Sequence, residues 1–66
     1  MKEEMEAIVT QMIEHGLFYE QAIAEFERKF IATALNKNRG NQTKAAKVMG
    51  IHRNTLRNKI GKLKQT

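Results

Sequence analysis

Apolar residues recur along this chain at steps of three and four, and the stripes they draw divide it into four helical segments. In the first, Met5, Ile8, Val9, Met12 and Ile13 share one side. Glu3, Glu4 and Glu6 fall in its first turn, where the positive end of the helix dipole favours carboxylates. Gly16, just past His15, is a natural stop in the left-handed conformation. The second segment starts at Leu17 or Tyr19 and runs to Asn38. It carries Ala22, Ile23, Phe26, Phe30, Ile31, Ala34 and Leu35 at helical spacing, and Gly40 ends it. At ~1.5 Å per residue such a helix is about 30 Å long, more than a chain of 66 residues needs to cover its own core.

The last two segments are short. Asn41, or alternatively Thr43, is placed to cap the third, whose inward face is Ala45, Ala46 and Met49. Gly50 breaks that helix and Ile51 turns back inward. His52 or Arg53 opens the fourth, where Leu56, Ile60 and Leu63 form the buried line. Gly61 is a poor helix-interior residue, so fraying after Ile60 is expected.

The two N-terminal stripes, joined at Gly16, make a helical hairpin with more apolar surface than the remaining residues can cover. A second copy of the chain is the expected remedy, with Met5, Ile8, Val9, Met12, Ile23, Phe26 and Phe30 at a homodimer interface in a two-fold four-helix bundle. The alternative is that Phe18, Phe26 and Phe30 fill a monomeric core. The chain has no cysteine and no proline, so neither disulfides nor a thiolate metal site supplements so thin a core. No metal and no cofactor is expected. No apolar run approaches the roughly 20 residues that span a bilayer, and the N-terminus does not resemble a signal peptide. The expectation is a soluble cytoplasmic protein, with no membrane partner.

Charge changes this picture from a fold to a function class. Residues 1–35 hold three basic and seven acidic side chains, net −4; residues 36–66 hold nine basic and no acidic ones, net +9. An acid-free basic half beside an acidic one is the footprint of a binder of phosphate backbones. Lysine-rich surfaces can also serve solubility alone, but that does not require all seven carboxylates to be kept out of one half.

The run from Gln42 to Ile60, QTKAAKVMGIHRNTLRNKI, meets the steric demands of a helix-turn-helix. Ala46 lets a second helix cross closely. Gly50, four positions on, accepts a positive φ without a Cβ penalty. Ile51 anchors the turn and Leu56 pins the second helix. With Leu56 and Ile60 held inward, Asn54, Arg57 and Asn58 project outward at ~100° per residue, and Arg53 stands at the N-terminal end, where recognition helices enter the major groove. Arg53 can donate twice to guanine O6 and N7, and an asparagine can pair bidentately with adenine. Thr43, Lys44, Thr55, Lys59 and the amides opening both short helices suit phosphate contacts.

The string RGNQTKAAKVMGIHRNTLRNKI, Arg39 to Ile60, strongly resembles the Fis-type helix-turn-helix family. This module occurs in the nucleoid protein Fis and at the C-terminus of NtrC-like activators of sigma-54 polymerase. The resemblance extends across the whole chain, by pattern more than identity over the first 35 residues. It implies an all-α, four-helix Fis-like domain. Residues 1–38 would be a dimerisation hairpin and residues 39–66 the helix-turn-helix, with paired recognition helices entering successive major grooves of double-stranded DNA. In Fis these helices lie closer than one DNA turn, so the duplex must bend. By position, Arg53 would be the principal base reader with His52 beside it. Arg39 belongs to the matched string; Asn41, Thr43 and Thr55 would hold phosphates, and Arg57 and Asn58 would face the groove or its edge. His52 replaces an asparagine of Fis and Asn58 a lysine, so the preferred site need not be that of Fis.

The histidines are isolated on different segments: His15 suits dipole compensation at a helix end, and His52 either recognition or an N-cap role. No nucleophile, general base or phosphate loop is recognisable, so the chain is not expected to be an enzyme. Two DNA-binding readings remain. One is the DNA-binding domain of an NtrC-like transcriptional activator, working beside upstream ATPase and receiver domains. The other is a free-standing Fis-like architectural protein that bends DNA. The absence of an arm before the first helix favours the former. A helical module whose basic end binds RNA or an acidic protein is a third class, for which base-edge donors such as Arg53, Asn54 and Arg57 are not needed.

Overall fold

Four helices account for nearly all of the chain in the computed structural model, which describes residues 1–64: α1 (Lys2–Glu14), α2 (Tyr19–Lys37), α3 (Gln42–Met49) and α4 (Arg53–Lys64). The all-α expectation is met. The end of the expected 39–66 region, Gln65 and Thr66, lies outside the described residues.

One device makes all three connections. After α1, Gly16 takes φ 78°; its N–H donates to the Ile13 carbonyl and the Leu17 N–H to that of Met12. After α3, Gly50 takes φ 74°, with its N–H donating to Lys47 and that of Ile51 to Ala46 at 3.0 Å. These paired bonds satisfy carbonyls that a helix end leaves open. The same pair closes α2, from the Arg39 N–H to Asn36 and from the Gly40 N–H to Leu35. There two successive residues are left-handed, Arg39 with φ 55° and Gly40, the expected stop, with φ 78°. The Asn38 side-chain amide also donates to the Ala34 carbonyl at 2.7 Å. At the other end of α2 the Phe18 N–H donates to Gln21 Oε1 at 2.9 Å, replacing the missing helical partner.

The buried core is small and lies on the C-terminal side: Ile31 and Ala34 of α2, Ala45 and Ala46 of α3, and Leu56 of α4. Leu35, Met49, Ile51, Ile60 and Leu63 pack around it, half-buried. The core therefore straddles the expected boundary at residue 38. Helix α4 does not fray at Gly61 but continues to Lys64, because Leu63, one turn beyond Ile60, packs on the core and holds the last turn.

Helix α1 buries no residue. Its apolar stripe instead faces an open cleft of about 550 Å³ whose walls include Ile8, Met12, Phe26, Phe30, Val48 and Met49. Ile8, Ile23, Phe26 and Phe30 are each close to half exposed, at 45–49%, and Phe18 is 77% exposed. The three phenylalanines thus do not fill the core of a single chain. Phe26 and Phe30 stack at a tilt, ring centroids 5.8 Å apart, along this uncovered face.

Two glycine substitutions should move stability in opposite directions. Neither Gly50 nor Gly61 has an atom within 4 Å of an added Cβ, so the backbone alone decides. Gly50→Ala places a side chain at positive φ and should cost about 1–2 kcal/mol. Gly61→Ala removes a glycine from a helix interior and should add about 1 kcal/mol. Thermal melts that shift the same way for both variants would contradict this account.

Candidate nucleic-acid interface

The side chains expected to meet DNA lie on the turn before α3, in the first turn of α3 and on α4. Asn41 adopts extended backbone and its side-chain Oδ1 accepts from the Lys44 N–H at 3.0 Å, so Asn41, not Thr43, caps α3. The cap leaves the amide nitrogen of Asn41 as a donor for an external group. Thr43 and Lys44 follow in the exposed first turn, and Arg39 sits just before, exposed in its left-handed turn.

Packing sets the aim of α4. Ala45 and Ala46 are 0% and 2% exposed and Leu56 is 0%. The two fully buried positions of α3 thus carry only methyl groups, with Met49 half-buried at its end, so α4 can approach closely. Arg53 is the first helical residue, and the Leu56 N–H donates to the His52 carbonyl at 3.1 Å, which puts His52 at the N-cap position. With Leu56, Ile60 and Leu63 inward, Asn54 and Asn58 lie diametrically outward. Arg53 and Arg57 flank them on one side and Thr55 on the other, by the ~100° step of the helix. All are exposed, as is His52. Ten of the eleven side chains expected to meet DNA are thus exposed.

Lys59 stands apart. It lies on the inner flank of α4, half-buried, and its Nζ donates to Glu27 Oε2 of α2 at 2.8 Å. Glu27 is the residue that the sequence pattern did not single out, counting it only among the seven acidic side chains of residues 1–35. Its signal was available: Glu27 precedes Ile31 by four residues and so shares the buried face of α2. No other carboxylate pairs with a basic residue of the second half among the described residues, so the positive field of this surface stays otherwise uncompensated. The described residues hold no group of three or more metal-ligating side chains, and no helix long and apolar enough to cross a membrane.

Two short helices held by a left-handed turn, the second presenting polar and cationic side chains outward, define a helix-turn-helix protein. Residues 22–63 match the family of bacterial regulatory proteins of the Fis type, and the chain belongs to that family. It is 49% identical over 49 residues to the DNA-binding transcriptional regulator NtrC of Azospirillum brasilense, an alignment covering 74% of this chain and 10% of that protein. The NtrC of Rhizobium meliloti (strain 1021) is 51% identical over 45 residues, 68% of this chain and 9% of that protein. The DNA-binding protein Fis of Vibrio cholerae serotype O1 is 50% identical over 44 residues, 67% of this chain and 45% of that protein. The chain thus spans about a tenth of these NtrC proteins and under half of Fis. No solved structure matches it significantly. The resemblance read from Arg39–Ile60 is borne out, and both kinds of relative are present.

The Asn41 cap has a measurable weight. Asn41→Ala should cost about 1 kcal/mol in chemical denaturation and Asn41→Ser should restore most of it. Equal losses in both variants would mean that the side chain does not act as a cap.

Proposed function

We propose that this chain binds double-stranded DNA in a sequence-directed manner as a homodimer, and that it is the DNA-binding domain of an NtrC-like transcriptional activator. The observation that carries the reading is the outward face of α4: Arg53, Asn54, Arg57 and Asn58 exposed together on a helix pinned by Leu56, in a half of the chain without an acidic residue. A helix of this kind fits a major groove, Arg53 reading guanine and the asparagines adenine. His52, Thr55 and the first-turn groups Asn41, Thr43 and Lys44 border it, with Arg39 nearby, and supply phosphate contacts.

The dimer follows from the apolar face of α1 and α2. Met5, Ile8, Val9, Ile23, Phe26 and Phe30 are 41–49% exposed, and Met12 beside them is half-buried. A contiguous surface of this kind marks an interaction site, and the same face on a second copy would cover it across a two-fold axis. In this arrangement residues 1–38 pair the chains and the helix-turn-helix of each enters its own groove. Such a protein would act in the cytoplasm, with ATPase and receiver domains as its neighbours in a longer polypeptide.

The Fis relatives, at the same level of identity, support a second reading as a free-standing protein that bends DNA with little sequence preference. Selection of bound duplexes from a random pool separates the two. A defined pair of half-sites supports the activator reading, and a degenerate pool supports the architectural one.

Arg53→Ala should reduce binding to a selected site by about tenfold or more while leaving affinity for random duplex nearly unchanged; equal losses on both would remove Arg53 as a base reader. The parent chain's affinity should also fall steeply with salt, through release of counterions at each phosphate contact. In sedimentation equilibrium the parent chain should be a dimer at micromolar concentration. Phe30→Glu, which places a charge in the apolar face, should weaken it about tenfold or more. A parent chain that sediments as a monomer refutes the bundle.

A further inference from the structure

Among the described residues, one salt bridge joins the acidic half of the chain to the basic half, the Glu27–Lys59 pair at 2.8 Å. The others are local: the N-terminal ammonium with Glu3 and Glu4, and Arg28 with Glu25. Glu27 and Lys59 lie 32 residues apart, with side chains 41% and 39% exposed. Both line a second open cleft of about 280 Å³, together with Ile31, Met49 and Ile51. At this place α2 and α4 do not close on one another, and the ion pair spans the gap.

This placement bears on the aim of α4. Leu56 is the only fully buried large side chain among the described residues, while Ile60 and Leu63 are half-buried. A single deep anchor fixes how far a helix stands from its neighbour but leaves it able to roll about its own axis. A second tie, off that axis and three residues on, removes the roll. The geometry points to Glu27 and Lys59 as a positioning pair: Lys59 sets the roll of α4, and through it the aim of Arg53, Asn54 and Arg57, instead of holding a phosphate. The inference rests on the proposed reading of α4 as the recognition helix.

Binding of Glu27→Gln, Lys59→Gln and the double variant to a selected duplex, each across a salt series, tests this. A positioning pair makes both single variants lose affinity about fivefold, makes the double variant lose no more than either, and leaves the salt slope of Lys59→Gln unchanged. A phosphate contact instead lowers the slope of log K against log salt in Lys59→Gln by about 0.9, while Glu27→Gln, with one carboxylate fewer, binds as well or more tightly. That result, or additive losses in the double variant, overturns the inference. A second measurement needs no DNA. The chain has no cysteine, so the exposed positions Ala32 and Lys62 can be changed to Cys and spin-labelled, the labelled chain being diluted into unlabelled chain. The distance distribution between α2 and α4 should broaden when Glu27 becomes Gln, and an unchanged distribution overturns the inference. If the distances respond but the parent chain binds no duplex, the DNA reading fails and the control of α4's roll stands.

Discussion

How closely α4 can approach α3 decides the rest of this structure. Ala45, Ala46 and Leu56 are buried to within 2%, and a larger side chain at either alanine would push apart the helices that meet in this core. Close-packed interiors tolerate extra methylenes badly, at typically ~1–3 kcal/mol. The turn between the helices has to be short as well. Gly50 at φ 74° supplies that turn, and the Ile51 N–H bonded to the Ala46 carbonyl locks it. The recognition surface is the reverse side of this packing: with Leu56 buried, residues two positions to either side must face outward.

Small side chains at the crossing also leave the core thin. Among the described residues five are buried, three of them alanines, and alanine contributes little apolar area. Most of the large apolar side chains left exposed lie on α1 and α2. Helix α1 buries nothing in the single chain, and isolated helices of about this length are marginal in water. The molecule therefore has two apolar systems, one closed and one open, with α2 lending one face to each. The stability of the open one comes from whatever covers it, which on the proposed reading is a second chain.

Most of the fold was legible in the sequence. The four stripes, the stops at Gly16 and Gly50, and the Asn41 cap are each set by a residue's local backbone or side-chain preference, and local preferences can be read from a sequence. What escaped was nonlocal or marginal. Glu27 looked like one more solvated carboxylate because its partner lies 32 residues away. Lys59 looked like a free cation for the same reason. Fraying at Gly61 followed from intrinsic propensity, which the contact of Leu63 with the core overrides. The turn after α2 turns left-handed already at Arg39, one residue before the stop read at Gly40, and paired closing bonds at Leu35 and Asn36 fix its register.

The segregation of charge follows from the same geometry. A carboxylate on the outer side of α3 or α4 would oppose any polyanion brought to that surface, and residues 36–66 have none. The glutamates of α1 and early α2 lie exposed on the hairpin, where they keep helices with exposed apolar stripes hydrated. Glu27 is the exception, since the buried face of α2 carries it toward α4. Its charge is met by Lys59 at 2.8 Å, which brings the local field of the pair near neutrality. The cation withdrawn from the basic surface is thus the one standing on the inner flank of α4, where a phosphate could reach it least. Arg57, turned further out, and Arg53, exposed at the start of the helix, keep their charge free for that surface.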